Sequence, residues 1–375
     1  MNVLVLGAGY AGLSLARRLE RDLSDDVALT VVDASPDHLV QHELHRLVRR
    51  PDLEDAVTVP LTEALSRAEV VTARVESVDR DARTVHLADG SLDYDVCAVC
   101  LGAETAFYGL SGVAEYATPL KRVAHAAQIR ADFRGLDADD RVVVGGAGLS
   151  GVQVAGELAA LAEAEHVGAE VCLVEREATV APAFPEPFAA AVRTSLSEAG
   201  VVVETGVRVR EATADEVRFV DRAPLAHDQF VWTGGIRGPD AMGGERPVVR
   251  ADLRLDDRTF AVGDAARVVD ANGEAVPASA AAAVREASVA ATNVVRTVEG
   301  LRDGDEFAPR LDRYRFDVPG WIVSVGDDAV AQVAGGVVTG AAARAMKATV
   351  GAGHLTSVGA VRQASDLVRE ELGHG

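Results

Sequence analysis

Two segments of this 375-residue chain repeat one pattern, and that pattern admits few folds. In the first, an apolar run at residues 3–6 leads into Gly7-Ala8-Gly9-Tyr10-Ala11-Gly12, and an amphipathic stretch follows over residues 13–23. In the second, residues 141–144 lead into Gly145-Gly146-Ala147-Gly148-Leu149-Ser150-Gly151, and a helical stretch follows over 152–164. After each helix comes a second strand that closes on an acid, Asp33 in one copy and Glu175 in the other. Strand, glycine turn, helix, strand and acid together describe a parallel βαβ unit.

The three glycines of each turn have separate tasks. Gly7 permits the tight turn, Gly9 lets backbone amides approach a pyrophosphate, and Gly12 lets the helix lie close to its strand. Gly146, Gly148 and Gly151 repeat those tasks. Phosphates then rest at a helix N-terminus, where unpaired N–H groups and the helix dipole favour negative charge. Asp33 and Glu175 are placed to accept hydrogen bonds from an adenosine ribose. A carboxylate there repels a 2′-phosphate, so Glu175 favours NADH over NADPH.

Between and after these units the chain is rich in strands. Residues 70–78 and 84–87 read as a hairpin, and 94–101 run apolar to Gly102. Residues 200–210 and 216–220 repeat that arrangement, and 229–232 lead into Thr233-Gly234-Gly235. Residues 259–264 form a buried strand ending in Gly263-Asp264, 278–298 an Ala-rich helix, and 321–338 a closing sheet. No shift in composition marks an extended linker. The expected class is therefore α/β, with two Rossmann-like domains, the second inserted in the first, and a C-terminal appendage. The expected boundaries are 1–110 and 241–320 for the outer domain, 111–240 for the inserted one, and 321–375 for the C-terminal region.

Composition excludes several alternatives. Lys and Arg number 37 against 58 Asp and Glu, a net charge of −21, which argues against a nucleic-acid-binding surface. Three cysteines fit a reducing cytosol rather than a disulfide framework, and no apolar run reaches the ~18 residues of a membrane span. The expected location is cytoplasmic. Lys121 and Lys347 are the two lysines, and Asp outnumbers Glu, a balance that resembles the proteins of salt-accumulating halophiles.

These motifs together resemble the two-dinucleotide-binding flavoprotein superfamily. By that resemblance Gly263-Asp264 brings a carboxylate to a flavin ribityl chain, so that the N-terminal unit binds FAD and the inserted unit NADH. Within the superfamily the chain is similar to type II NADH dehydrogenases over almost its whole length. The resemblance is carried by Gly7 to Leu13, by Gly145 to Leu158 with Gln153 and Glu157, by Val231 to Gly235, and by Val262 to Asp264 with Val276 to Ala280. It implies that Gly7, Ala8, Gly9, Tyr10, Ala11, Gly12, Asp33, Ala34, Val75, Gly102, Asp264, Ala280 and Ala281 serve FAD. It implies that Gly146, Gly148, Gly151, Glu175 and Gly235 serve NADH. Such enzymes reduce FAD with NADH and pass the electrons to a membrane quinone.

Two positions depart from the family. Gln153 stands where relatives carry a Glu that can exchange protons, and it is the candidate catalytic position. Ala280-Ala281 stand where relatives carry Ala-Gln near the quinone. Two alternatives follow, an NAD(P)H reductase for a soluble carrier such as ferredoxin and a low-turnover flavin-binding redox sensor. Cys97 and Cys100 lie in a strand-like run, where residues three apart point to opposite faces, so they are expected to be buried free thiols. That argues against disulfide and sulfide:quinone reductases. His38, His42 and His45 are expected on a solvated helix face near the flavin, with no metal site. Residues 354–372 place Leu355, Val358, Val361, Val368 and Leu372 on a loosely apolar stripe. It reads as a peripheral membrane contact, or equally as a docking helix for the same chain or a dimer partner.

The charge balance yields a first test. The screening length is about 10 Å at ~0.1 M salt and about 3 Å at ~1 M, so molar salt removes most repulsion between neighbouring carboxylates. The melting temperature is expected to rise steeply between dilute buffer and molar KCl. A flat melting temperature over that range leaves codon bias as the explanation for the missing lysines.

Overall fold

A computed structural model describes residues 1–304 and 308–373. Two five-stranded parallel sheets organise it, and they share a plan. In the first, the strand order is Thr259–Ala261, Val96–Val99, Asn2–Leu6, Ala28–Asp33, Glu69–Thr72. In the second it is Thr118–Pro119, Gln229–Trp232, Arg141–Gly145, Glu170–Glu175, Val202–Thr205. Each sheet puts the strand that enters a glycine loop at its centre and the acid-tipped strand beside it. The central strands are buried on both faces, which is why they read as continuous Val and Leu.

All strands of the second sheet fall between residues 118 and 232, while the first draws on both sides of that interval. The chain crosses between the sheets along two short antiparallel strands, Glu104–Thr105 and Ile236–Arg237, joined by an Arg237–Glu104 ion pair. The second unit thus interrupts the first, as the sequence pattern implies.

The two expected hairpins are each divided. Glu69–Thr72 joins the parallel sheet, and the antiparallel meander begins at Val75–Asp79 and continues through Thr84–Leu87 and Gly90–Asp93. Likewise Val202–Thr205 joins the second sheet, and Val209–Ala212 starts a meander with Glu216–Phe219 and Leu225–Ala226. A short bend separates the halves in both cases, with Gly206 at φ +72° in the second. Because every residue of these stretches suits a strand, periodicity alone does not show where one sheet is left for another.

Helix Tyr10–Asp22 buries Ala11, Leu13, Leu15, Ala16 and Leu19 against the first sheet and helix Ala280–Asp303. The latter presents Ala283, Ala287, Ala290 and Ala291 from its buried face, and side chains this small let the two helices approach closely. The C-terminal region is an antiparallel sheet of Gly320–Val325, Asp328–Val333 and Gly336–Thr339, covered by helix Gly340–Ser357 and followed by helix Val361–Gly373. The single stripe expected over 354–372 is broken at Gly359, whose φ is +86°. Leu355, Val358 and Leu367 turn inward and are buried, whereas Val361 is 63% exposed. Leu372 lies outside the residues whose side chains are described.

Leu15 is fully buried between helix and sheet. Leu15→Ala is expected to cost about 2–5 kcal/mol in denaturant unfolding, the usual range for a core leucine that leaves a cavity. A loss below 1 kcal/mol would mean that this interface is loosely packed.

Candidate active site

The two glycine loops can be read atom by atom. Gly7 has φ +93°, and a Cβ there would lie 2.4 Å from the Cys100 carbonyl oxygen. A Cβ on Gly12 would lie 1.7 Å from the Gly7 carbonyl oxygen. The second loop repeats the geometry, with Gly146 at φ +95° against Gly234 and a Gly151 Cβ only 1.8 Å from the Gly146 oxygen. In each loop the first and third glycines are required by the chain itself.

The middle glycines are different. Gly9 and Gly148 have ordinary φ values of −68° and −67°, and a Cβ on either would meet nothing within 4 Å. Nothing in the protein demands glycine at these positions, so the open space suits a ligand. Both residues also begin helices that no side chain caps. The first N–H groups of each helix are therefore free to meet phosphate oxygens. These cradles fit two dinucleotides.

The acids brace the loops. Asp33 accepts the Ala8 N–H at 2.6 Å and the Ser35 N–H at 2.8 Å. Glu175 accepts those of Ala147 at 2.7 Å and Glu177 at 2.9 Å. Burial pushes the Asp33 carboxyl up, against the pull of these amides. Each carboxylate oxygen keeps a second lone pair, so bracing the loop leaves it able to accept from a ribose. Ala34 follows Asp33 into an exposed turn. Val75 comes three residues after Thr72, the register partner of Asp33, and so lies near the same sheet edge.

Asp264 sits in a tight 3-10 turn, Gly263–Ala265, beside the start of the first helix. A Cβ on Gly263 would lie 3.0 Å from the Ala11 Cβ. The helix that follows, Ala280–Asp303, is capped by Ser279 and not by Asp264: the Ser279 Oγ accepts the Ala282 N–H at 3.2 Å. Gly7 through Gly12, Asp33, Asp264 and Gly102, which leaves the neighbouring strand at φ +67°, thus gather at one end of the first sheet. Ala280 and Ala281 open helix Ala280–Asp303 close by, with Ala281 exposed.

At the second loop, the Thr233 hydroxyl donates to the Gly145 and Gly146 carbonyls at 3.1 and 2.9 Å. This draws Gly235, at φ +140°, towards the glycine turn. Gln153 projects from helix Leu149–Glu165, which this loop launches, towards the first domain, where its amide donates to the His42 carbonyl at 3.5 Å.

Three features escape a linear reading. Glu286 is 2% exposed and accepts the Gly263 N–H at 2.7 Å, and burial pushes its carboxyl up to about 7. Within the Ala-rich helix nothing distinguishes it. Glu157 is buried on helix Leu149–Glu165, where burial lifts its carboxyl to about 7 against the pull of Arg49, whose Nε donates to it at 2.7 Å. Thirdly, Glu43 is paired with Lys347 at 3.1 Å and Arg46 at 3.3 Å. Burial opposes its ionisation, but Lys347, His42 and Arg46 outweigh it and hold Glu43 well below the usual carboxylate range.

The histidines correct the sequence reading. His38 lies in strand Asp37–Leu39, His42 in the turn Gln41–Glu43, and His45 just before helix Arg46–Arg49, so they share no helix face. His38 and His45 are 1% and 2% exposed. His38 bonds the Ala8 carbonyl at 2.8 Å and the ring of His354 at 3.1 Å, and His45 meets the Ser324 hydroxyl at 2.8 Å. The C-terminal region, more than 270 residues away in sequence, covers them. Cys97 and Cys100 are free and buried as expected, Cys172 is free and buried too, and burial raises all three thiols.

Two parallel sheets, each carrying an open glycine cradle with its bracing acid, define a two-dinucleotide oxidoreductase. The chain belongs to the pyridine nucleotide-disulphide oxidoreductase family, whose model matches residues 1–287. It is 26% identical to the type II NADH:quinone oxidoreductase of Staphylococcus aureus, over 96% of each chain. It is 27% identical to that of Staphylococcus saprophyticus, over 80% of this chain and 83% of the relative. Its fold matches NDH2 from Plasmodium falciparum in complex with NADH with a TM-score of 0.82, at 14% identity over 98% and 97% of the two chains. The sulfide:quinone oxidoreductase of Aquifex aeolicus shares the fold at a TM-score of 0.79, with 19% identity over 96% and 92%.

The glycine geometry makes a prediction that separates folding from binding. Gly12→Ala drives a Cβ into backbone and is expected to disrupt the first domain. Gly9→Ala is expected to leave stability of the flavin-free protein within about 0.5 kcal/mol, as for an unobstructed surface change, while flavin affinity falls. Gly148→Ala should raise KM for NADH with flavin content unchanged. Unfolding curves and flavin titration check the first two, and steady-state kinetics with varied NADH, beside flavin content, check the third.

Proposed function

We propose that this chain is an FAD-dependent NADH dehydrogenase of the type II kind, passing electrons from NADH through FAD to a quinone. The observation that carries the reading is the pair of matching cradles, each open at its middle glycine and each braced by a carboxylate. FAD, when bound, supplies the hydride acceptance and onward two-electron transfer that no amino-acid side chain offers. The protein binds, orients and shields.

In this reading Gly7 to Gly12 and the start of helix Tyr10–Asp22 hold the flavin pyrophosphate, Asp33 its ribose, and Asp264 the ribityl chain. Ala34, Val75, Gly102, Ala280 and Ala281 complete the flavin contacts. Gly146, Gly148 and Gly151 hold the NADH pyrophosphate, with Gly235 at the loop's edge. Glu175 selects NADH, because a 2′-phosphate would meet its charge. Gln153, whose amide cannot exchange a proton, stands between the two units as a hydrogen-bonding group. Buried thiols at 97 and 100 favour direct transfer from flavin to acceptor over a dithiol relay, because a protonated thiol is a poor nucleophile. The crossings at Glu104–Thr105 and Ile236–Arg237 support limits near 110/111 and 240/241 for the proposed domains 1–110 with 241–320, and 111–240; 321–375 is the proposed C-terminal region.

Among the described residues no helix is long and apolar enough to cross a membrane. Contact with a membrane quinone would be peripheral, on the cytoplasmic face, through the exposed Val350 and Val361 of the two C-terminal helices. The inward-facing Leu355, Val358 and Leu367 are covered by the chain itself, so they need neither lipid nor a second copy to bury them.

Anaerobic titration of the purified holoprotein with NADH tests this assignment. NADH should bleach the flavin absorbance faster than NADPH, and a soluble quinone should restore it faster than ferredoxin. A colourless protein that cannot be reconstituted with FAD would overturn the assignment, and faster recovery with ferredoxin would replace the acceptor alone.

A further inference from the structure

One short segment, residues 41–50, touches the surroundings of both cradles and the C-terminal region at once. On one side it meets the first glycine loop. Tyr10 follows Gly9 directly, and its hydroxyl is hydrogen-bonded to the His42 ring and accepts the His42 backbone N–H at 3.3 Å. On the other side it meets helix Leu149–Glu165, which the second glycine loop launches. Gln153 donates to the His42 carbonyl at 3.5 Å, and one turn further on Glu157 accepts from Arg49 Nε at 2.7 Å. Residues four apart share a helix face, so one face of this helix lies along the segment.

Arg49 is where the three parts converge. Its side chain is 12% exposed, and Glu157 is 1% exposed. While Nε holds Glu157, Nη1 and Nη2 donate to the two oxygens of Asp327 at 2.9 and 2.7 Å. Asp327 stands in the turn between strands Gly320–Val325 and Asp328–Val333. That turn is seated on the same helix, since a Cβ on Gly156 would lie 2.5 Å from the Gly326 nitrogen. The backbone of the segment is gripped as well. Arg130, on helix Val123–Phe133 of the second unit, donates to the carbonyls of Val48 and Arg49 at 3.0 and 2.7 Å, and to Glu165 at 3.0 Å. A guanidinium presents its donors in a rigid planar fork, so these bonds set direction as well as distance.

We propose that Arg49 is a positioning residue that fixes how the two cradles face one another, and with it the alignment of nicotinamide against flavin. The inference rests on the two-cofactor reading above. The glycines and acid of each cradle lie within one unit, so the spacing between units is left to other contacts. The chain itself crosses between the units along strands of two residues each. The bonds of Arg49, backed by those of Arg130, supply the missing constraint. Hydride passes from nicotinamide to flavin, with its electron pair, only when the reacting atoms are about 3–3.5 Å apart, and a misplacement of about 1 Å can cost about 100-fold in rate.

The test separates positioning from stability. Arg49→Met alone strands Glu157 as an unpaired buried carboxyl, so it is combined with Glu157→Leu. Apolar replacement of both partners of a buried pair commonly keeps or raises stability. In stopped flow with the holoprotein, the limiting rate of flavin reduction by NADH is expected to fall at least about tenfold in the double variant. Affinities for NADH and FAD should stay unchanged, because neither cradle is touched. A second readout needs no turnover. With spin labels at Asp81→Cys and Thr194→Cys, exposed positions on the two units, the distance distribution without NADH should broaden in the double variant. Arg49→Lys keeps a charge beside Glu157 but offers no fork to Asp327; it should show the same pattern in milder form, and it decides the matter if the double variant does not fold. An unchanged limiting rate, an unchanged distance distribution, or a loss of cofactor affinity that accounts for the loss of rate would overturn the positioning role alone. A wild-type holoprotein whose flavin NADH does not reduce would overturn the functional reading, and the positioning role with it.

Discussion

Both cofactor cradles depend on the close approach between a helix and the turn that launches it. At Gly12 and Gly151 the helix lies so near the preceding loop that a Cβ would stand under 2 Å from a carbonyl oxygen. That approach aims the helix N-terminus over the end of the sheet, and it fixes where the unpaired N–H groups point. The loop holds its shape because the acid of the next strand accepts an amide from the residue after the first glycine, Ala8 in one unit and Ala147 in the other. Charge-assisted bonds of this kind are about twice as strong as neutral ones. The same two devices build both cofactor cradles, so the chain solves one geometric problem twice.

The surroundings of the first cradle depend on a different kind of interaction. Glu43, Arg46 and Lys347 are nearly inaccessible to water, and Arg49 reaches Glu157 across to the second unit. Removing such charges from water costs several kcal/mol each, which pairing offsets only when the geometry is good. Apolar residues of similar size would serve stability as well. What ionic pairs add is register: Glu43 accepts Lys347 from the C-terminal helix, and Glu370 on the last helix meets Arg46 and Arg50. The appendage is thereby fixed against the first domain at particular residues, and its histidine, His354, is set against Tyr10.

This docking explains why the C-terminal region and the residues near 40 belong to one functional unit. Either segment alone would expose imidazoles and a carboxylate to water. Together they form a polar cluster in which Tyr10 packs against the rings of His38, His42 and His354, and Glu43 is held by Lys347 and Arg46. A cluster of this kind polarises its own bonds in a low local dielectric, and it is costly to leave half satisfied.

The sequence by itself determined the two βαβ units, the glycine tasks, the acids that close them and the nesting of one unit in the other. These were legible because they are local: glycine is required where a turn needs positive φ or where backbone meets backbone, and such demands leave a fixed spacing. Cys97 and Cys100 were equally readable, since strand alternation separates their side chains. Only the tertiary structure decided the rest. The hairpin-like stretches at 70–78 and 200–210 divide between sheets because a strand's partner is chosen by what lies beside it. The histidines at 38 and 45 look solvated in a polar stretch and are buried, because segments hundreds of residues away cover them. Glu286 and Glu43 have no local signature at all, and the glycine-loop motif that carries Glu157 does not show that it is buried. Their partners come from Gly263, Arg49 and Lys347, and a buried charge is defined by its neighbours in space, which no linear spacing encodes.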